Sequence, residues 1–262
     1  MLIDTHSHIY DEAFDDDRGK VLLRAKGAGV ERIVLPAIDG ESNEALFELC
    51  RREGDYVVPL MGLHPTSVND NLRWREELDE VERLLKNPPE GIGRFYGVGE
   101  IGLDLYWSRD FYAEQVEAFT QQIELALSLQ LPIVVHTRSA WEEMTEIIER
   151  YRGRGLRGIF HAYSADVATY ERLRECGDFV FGIGGVVTFK KSAVAEVVRS
   201  MRLEDLVVET DAPYLTPSPH RGTRNEPAYV RFVAEKIAEL KGLAIEEVEA
   251  QTTKNAKRIF GI

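Results

Sequence analysis

The sequence contains little cysteine and no long apolar segment. Only two of its 262 residues are cysteines, Cys50 and Cys176, and they lie far apart in segments with helical patterns. They form no disulfide framework, which fits a protein of the reducing cytosol. No apolar run approaches the roughly 20 residues that span a bilayer, and the N-terminal stretch lacks the basic and apolar regions of a secretory signal. We therefore expect a cytoplasmic protein that has no membrane partner.

Positive charge is also scarce. The chain has 32 Lys and Arg residues against 45 Asp and Glu residues, which gives a net charge of −13. Long-range repulsion from phosphate argues against a general nucleic-acid binder and against an anionic membrane surface as a partner. A small local site that accepts one phosphate is compatible with this charge, and the negative field favours divalent cations near the protein.

What the sequence does contain is a regular alternation of short apolar runs and helical patterns. Eight runs, most of them rich in Val and Ile, have the length of fully buried strands, and they span residues 2–8, 32–38, 56–63, 95–101, 132–137, 158–163, 178–184 and 206–210. Apolar residues at helical spacing mark the segments 18–28, 42–52, 72–85, 111–129, 141–151, 166–176, 229–240, 245–251 and 254–260.

This rhythm predicts the fold class. Eight β/α units in about 260 residues match an α/β protein built as a single (β/α)₈ TIM-like barrel. A doubly wound parallel sheet is the alternative, but eight regular units with one site gathered from many strand ends favour closure. The chain shows no linker and no low-complexity tract, so we expect one domain over residues 1–262.

The histidines are not scattered. All but one stand at or just past the end of a predicted strand, namely His6, His8, His64, His136 and His161, whereas His220 lies in a loop without a motif. The carboxyl ends of the strands are where βα barrels build their active sites. His6 and His8 are two residues apart on a strand, so both side chains face the same way and can hold one cation. Asp4 shares their parity and either orients such a ligand or is a hydrogen-bonded structural carboxylate.

Acidic residues and two further histidines complete the pattern. Glu100 ends the apolar fourth run, where an unpaired carboxylate is costly, so either a metal or an arginine partner is expected. His136 and His161 each end a strand, and Asp211 ends the eighth. Glu209 shares the parity of Asp211, so one of these two is a supporting residue or a salt-bridge partner. Four imidazoles and two carboxylates are too many for one tetrahedral ion. They suit two divalent ions that share one carboxylate.

These motifs together resemble the TatD-type metal-dependent deoxyribonucleases, a family within the amidohydrolase-like barrels. The matching stretches run in order along the chain: IDTHSH at 3–8, GLHP at 62–65, GEIGLD at 99–104, Gln115, LPIVVHTR at 131–138, FHAYS at 160–164, ETDAPYL at 209–215 and RGTRNEP at 221–227. The resemblance implies a TIM-like barrel, divalent metals and phosphodiester hydrolysis on DNA, often at an end. It also implies two ligand sets: one ion on His6, His8, Glu100 and Asp211, and a second on Glu100, His136 and His161.

The sequence departs from the family pattern at three positions, none of which is a metal position. Ser139 replaces the acidic residue that usually follows the arginine of the fifth strand by two positions, Ala165 replaces a glycine, and Thr223 replaces a lysine. The lost lysine and the altered loops are expected to face the substrate, so they bear on substrate preference.

Four residues outside the metal set are candidate substrate contacts. His64 either contacts the substrate phosphate, as the resemblance implies, or anchors its own loop. Arg138 either clamps a phosphate or pairs with a neighbouring acid. Arg221 and Arg224 lie in the loop after the eighth strand, a usual place for anion contacts in barrels, and the alternative is a solvated basic loop.

The expected mechanism uses two divalent ions that share a water and Glu100, with Asp211 as the residue that orients the water and takes its proton. Mixed imidazole and carboxylate ligands suit Zn, Mn, Ni or Co better than an all-oxygen Mg site. The expected substrates are DNA ends or short single-stranded DNA. The alternatives are a hydrolase of a small phosphate ester, lactone or amide, and a metal-loaded protein that binds a partner without catalysis.

Overall fold

Eight parallel strands form the centre of the protein, whose computed structural model describes residues 1–262. The strands are β1 Leu2–Asp4, β2 Val30–Leu35, β3 Val57–Pro59, β4 Val98–Asp104, β5 Ile133–Arg138, β6 Arg157–Phe160, β7 Asp178–Ile183 and β8 Leu206–Val208. They pair in chain order, from β1 to β3 and from β4 to β8, and every pair is parallel.

Backbone hydrogen bonds join these two runs of strands into a ring. Between β3 and β4, the Met61 N–H donates to the Gly97 carbonyl at 3.2 Å. Between β8 and β1, the Thr5 N–H donates to the Val208 carbonyl at 3.1 Å. The expected barrel is therefore confirmed, since a doubly wound sheet would leave its two edge strands unpaired.

The structure has ten α-helices. They are α1 Arg18–Gly27, α2 Asn43–Glu53, α3 Pro65–Val68, α4 Trp74–Lys86, α5 Tyr112–Leu129, α6 Trp141–Glu149, α7 Val167–Arg174, α8 Ala193–Ser200, α9 Val230–Lys241 and α10 Ile245–Phe260. None of them combines the length and the apolar character that crossing a lipid bilayer would require.

The prediction of two separate helices at the C-terminus is wrong, because α10 runs unbroken through residues 252–253. The polar stretch there resembles a helix end, but its side chains are bonded inside the fold. The Thr252 hydroxyl donates to the Val248 carbonyl at 2.8 Å, one turn back in the same helix. The Asn255 amide donates to the carbonyls of Leu203 and Leu206 at 2.9 and 2.7 Å.

Helix α10 covers the N-terminal end of the barrel. Its side chains pair with residues at the beginnings of strands: Lys257 contacts Glu31 at 2.8 Å, and Arg258 contacts Asp178. Its apolar residues pack on inward-facing side chains of the strands, which are Ile3, Val34, Val58, Val134, Ile159, Val180 and Val207. Because this end is closed, the C-terminal end of the strands is the open one, where barrel sites form.

The strands end at other residues than predicted, and two of these differences bear on the site. Strand β1 ends at Asp4 rather than at His8, and β4 continues to Asp104 rather than ending at residue 101. Gly102 permits the close pairing of β4 with β5, because its φ is +143° and a Cβ there would lie 2.1 Å from the His136 carbonyl oxygen. Glu100 therefore lies inside a strand and not at its end.

Candidate metal centre

His6 and His8 are held side by side by the segment that follows β8. The Asp211 N–H donates to the His6 carbonyl at 2.9 Å, and the His8 N–H donates to the Ala212 carbonyl at 2.8 Å. These bonds continue the pairing beyond the strand ends and bring the Nε2 atoms of the two imidazoles within 3.2 Å of each other. The two side chains face the same way, as their spacing predicts, although the strand itself ends earlier.

The sequence allows two roles for Asp4, and the structure shows it as a hydrogen-bonded structural carboxylate. Its carboxylate accepts hydrogen bonds from the Thr210 N–H at 2.9 Å and from the Thr210 hydroxyl at 2.6 Å. It also accepts the His6 N–H at 3.4 Å. Asp4 thus fixes the end of β1 against the end of β8, just below the two histidines.

Glu100 lies in the middle of the histidines and is 3% exposed. Its Oε2 is 3.1 Å from His6 Nε2 and 3.6 Å from His8 Nε2. Its Oε1 is 2.8 Å from His136 Nδ1 and 3.8 Å from His161 Nε2. The partners of this buried carboxylate are histidines rather than an arginine, and its two oxygens face two different sets of them.

Asp211 approaches the same centre from the side of β8. Its Oδ1 lies 3.9 Å from His6 Nε2, 3.7 Å from His8 Nε2 and 3.8 Å from His161 Nε2. Its φ of +59° is in the left-handed region, which side chains other than glycine seldom adopt. The side chain is 15% exposed, so Asp211 is more accessible to solvent than Glu100.

Burial and charge set the protonation states of these groups. Burial lowers the pKa of His8 to about 4 and the pKa of His6 well below its usual value, so both rings are neutral and can ligate. Burial alone would raise the pKa of Glu100, but the surrounding histidines hold it well below its usual range. Burial, with the nearby charge of Glu100, raises the pKa of Asp211 to about 7.

His161 directly follows β6 and has a carboxylate behind it. Its Nδ1 is 2.9 Å from Glu209 Oε1, which also accepts the Ala162 N–H at 2.6 Å. Gly182 makes room for Glu209, since a Cβ there would lie 2.1 Å from Glu209 Oε2. Burial opposes a charged imidazole, but Glu209 and Asp211 raise the pKa of His161 to about 10. Of the two acidic residues Glu209 and Asp211, Glu209 is therefore the supporting one, and it orients the His161 ring.

His136 has a second carboxylate partner, Asp104, to which the sequence reasoning assigns no role. The His136 ring lies between two carboxylates, with Nδ1 2.8 Å from Glu100 and Nε2 3.0 Å from Asp104 Oδ2. Burial opposes the charged ring, but these hydrogen bonds raise the pKa of His136 to about 9. A signal existed, because Asp104 lies four residues after Glu100 and therefore on the same face of β4.

His64 anchors its loop and also faces the centre. Its Nδ1 accepts the Thr66 N–H at 3.2 Å, which caps the beginning of α3. Its Nε2 is 3.5 Å from Glu100 Oε1, and its ring centroid is 4.5 Å from that of His136. The loop-anchoring role is therefore confirmed, and a contact with substrate stays a prediction.

These side chains fit divalent metal ions. Three groups bring ligand atoms within 4.8 Å of one another, and they are His6–His8–Glu100, His6–His161–Asp211 and His64–Glu100–His136. Imidazole nitrogens with carboxylate oxygens form the donor set that Zn and neighbouring transition metals prefer. Glu100 belongs to two of the groups. His161 clusters here with His6 and Asp211, so its place beside His136 in one ligand set stays a prediction.

The model of one protein family, described as TatD related DNase, matches residues 3–261. The chain belongs to the TatD family. It is 40% identical to the uncharacterized metal-dependent hydrolase YabD of Bacillus subtilis in an alignment of 271 positions, gaps included, that covers 100% of both chains. It is 36% identical to the uncharacterized metal-dependent hydrolase TatD of Mycobacterium tuberculosis in an alignment of 273 positions, gaps included, that covers 100% of this chain and 98% of the other.

The fold agrees with a solved structure of the same family. The crystal structure of YJJV, a TatD homolog from Escherichia coli K12, superposes with a TM-score of 0.90 at 27% identity and covers 100% of this chain and 98% of that one. The resemblance noted in the sequence is thereby confirmed. This TatD-family chain is a metal-dependent hydrolase.

A cavity of about 710 Å³ opens over the centre of this TatD-family protein. Glu100 and Asp211 are among the residues at its floor, and Trp107, Arg138 and Tyr214 are among those of its walls. Arg138 is exposed, makes no ion pair, and lies with its guanidinium carbon 3.7 Å from the centroid of a tyrosine ring. The salt-bridge alternative for Arg138 therefore does not hold, and its contact with phosphate stays a prediction.

The loop after β8 does not bring its arginines into this cavity. Arg224 pairs with Asp17 at 2.7 Å, and Arg221 lies over the ring of Phe189 at 3.9 Å. Thr223, which replaces the family's lysine, closes the loop instead, because its hydroxyl donates to the His220 carbonyl at 2.8 Å. A substrate contact of Arg221 or Arg224 stays a prediction that this arrangement does not support.

Proposed function

We propose that this TatD-family hydrolase is a deoxyribonuclease that cleaves phosphodiester bonds at DNA ends with two divalent ions. The observation that carries the proposal is the position of Glu100. Its two oxygens face separate histidine sets, His6 with His8 on one side and His136 on the other. A single buried carboxylate between two sets of imidazoles is the arrangement by which one side chain serves two ions.

The ions, when bound, supply a water of lowered pKa and polarise the phosphoryl group. The chain contributes the remaining functions. Glu100 and the histidines hold the ions, and His136 and His161 each release a proton when they ligate. Glu209 and Asp104 fix the rings of His161 and His136. Asp211 has the most accessible carboxylate of the centre and lines the cavity, so it accepts the proton of the attacking water at Oδ1.

The charges around the cavity support action at an end rather than along a duplex. Arg138 is the only Lys or Arg among the residues that line the cavity. The chain as a whole carries a net charge of −13. A protein that tracks a long duplex neutralises many phosphates. The mouth of this cavity offers basic contacts for only a few phosphates.

The test is a cleavage assay on protein stripped of metal by a chelator and reloaded separately with Zn²⁺, Mn²⁺, Co²⁺, Ni²⁺ or Mg²⁺. The substrates are end-labelled oligodeoxynucleotides with free or blocked ends, and a closed circular DNA. We expect cleavage only with an ion present and only when an end is free. If no DNA is cut with any ion, whereas a lactone, an amide or a small phosphate ester is hydrolysed, the alternative hydrolase activity is correct.

A further inference from the structure

The exposed aromatic side chains of the protein are concentrated at one place. Three aromatic residues are exposed, Tyr106 (54%), Trp107 (71%) and Tyr214 (52%). Trp107 and Tyr214 line the cavity over the metal centre, and Tyr106 packs against Trp107. Exposed aromatic rings cost solvation free energy, so their confinement to the mouth indicates that the mouth binds something with flat apolar faces.

Tyr106 and Trp107 form a defined pair with an arginine. Their ring centroids are 4.9 Å apart and the ring planes meet at 84°. The guanidinium carbon of Arg138 lies 3.7 Å from the centroid of Tyr106 and 5.6 Å from that of Trp107. Because Arg138 has no carboxylate partner, its charge is available to a ligand, as is the planar face that is turned away from Tyr106.

The pair is fixed relative to the metal centre by its backbone. The Tyr106 N–H donates to Asp104 Oδ1 at 3.0 Å, while the other oxygen of Asp104 contacts His136 Nε2 at 3.0 Å. The Leu105 N–H donates to the Arg138 carbonyl at 2.9 Å. One carboxylate therefore joins the aromatic pair to a histidine of the centre, so a ligand that stacks here has a set position relative to the reacting groups.

We propose that Tyr106, Trp107 and Arg138 form a stacking site for the nucleobase next to the phosphodiester bond that is cut. This inference rests on the proposed function. The occupant is an unpaired base of single-stranded DNA, because the faces of a base inside a duplex are already covered by its neighbours. Every base has a flat π face, so stacking here selects single strands without selecting a sequence. Arg138 contributes by stacking and by its charge toward the adjoining phosphate.

The kinetic test uses Trp107→Ala and a substrate that lacks the base. Stacking of one base on an aromatic ring is worth about 5- to 150-fold in affinity. We expect Trp107→Ala to raise KM on single-stranded oligodeoxynucleotides by a factor in that range with a smaller change in kcat. On an oligonucleotide with abasic residues at its terminal positions, the wild type and the variant should be nearly equal. Trp107→Phe, which keeps a flat ring, should recover most of the loss.

The second readout is binding, measured without turnover. Single-stranded oligothymidine added to chelator-treated protein should quench tryptophan fluorescence, and Trp107→Phe should remove that quenching. The other two tryptophans, Trp74 and Trp141, are buried or partly buried and should contribute little. A blunt hairpin of the same length should quench much less than the single strand.

The matched control for the arginine is Arg94→Ala, because Arg94 lies 4.3 Å over the ring of Tyr96 near the opposite end of β4. Arg138→Ala should weaken binding and Arg94→Ala should not. The stacking site is refuted if Trp107→Ala affects normal and abasic substrates equally, or if single strands do not quench wild-type fluorescence. If single strands quench but no DNA is cut with any ion, the proposed activity fails while the stacking site stands.

Discussion

Replacing Glu100 by Gln is the sharpest perturbation of this centre, because it removes one charge and keeps the shape. The side chain is 3% exposed, and its two oxygens lie 3.1 Å from His6 and 2.8 Å from His136. With two ions bound as proposed, an amide would leave each of them facing an uncharged group in a buried place. Removing one partner of a buried charge pair costs about 3–5 kcal/mol, which is about 160- to 5,000-fold in an equilibrium constant.

We therefore expect Glu100→Gln to lower the affinity for divalent ions by at least about 100-fold and to abolish turnover. The measurements are calorimetric titration of the metal-free protein with Zn²⁺ or Mn²⁺, and metal content by mass spectrometry after gel filtration. Glu226→Gln is the matched control. Glu226 is another buried carboxylate, but it pairs with Arg24 at 2.6 Å and does not line the cavity.

The control variant should lose some thermal stability and keep its metal content, whereas Glu100→Gln should lose metal. The outcome that refutes the reasoning is a folded Glu100→Gln protein that retains two ions per chain and near-normal turnover. In that case Glu100 would not join two ions, and the distances of its two oxygens would have no functional meaning.

Three further predictions concern the proton acceptor, the mode of DNA binding and the buried cysteines. Asp211→Asn should leave metal content largely intact while kcat falls by about 10²- to 10⁴-fold, and a collapse of metal content would make Asp211 chiefly a ligand. A plot of the logarithm of kcat/KM against the logarithm of the salt concentration should have a slope between about −0.7 and −2, because few phosphates are contacted. A slope steeper than about −4, or rapid nicking of closed circular DNA, would contradict action at ends. Both cysteines are buried, and burial raises the pKa of the Cys50 thiol to about 12 and raises the pKa of the Cys176 thiol as well. A disulfide reagent at about pH 8 should therefore label neither thiol until urea unfolds the protein, and fast labelling of the native protein would contradict this.

The eight strands and the clustering of the candidate residues could be predicted from the sequence because both depend on local patterns. A strand buried on both faces is a short apolar run, and such runs recur eight times in order. His6, His8, His136, His161 and Asp211 stand out because each lies at the end of such a run. Parallel strands bring their carboxyl ends to one edge, so adjacency in space follows from position along each strand.

The remaining features depend on pairings that no local pattern contains. The partner of Arg224 is Asp17, which is 207 residues away in the sequence, and that ion pair holds the arginine outside the cavity. The support of His136 by Asp104 depends on β4 continuing three residues further than its apolar run, which the close approach of Gly102 to β5 permits. The continuity of α10 depends on Asn255 finding backbone carbonyls near β8.

The metal centre spans the seam at which the first strand of the chain meets the last. The hydroxyl of Thr5 donates to the Val208 carbonyl across 203 residues of sequence, and His6 and Asp211 lie directly beyond that junction. Contacts of such long sequence separation form late, because a long loop must close first. A form of the chain in which β1 and β8 have not paired therefore lacks the complete ligand set. Ions that bound only the closed ring would stabilise it against opening, and the pairing of β1 with β8 would complete the barrel and the ligand set together.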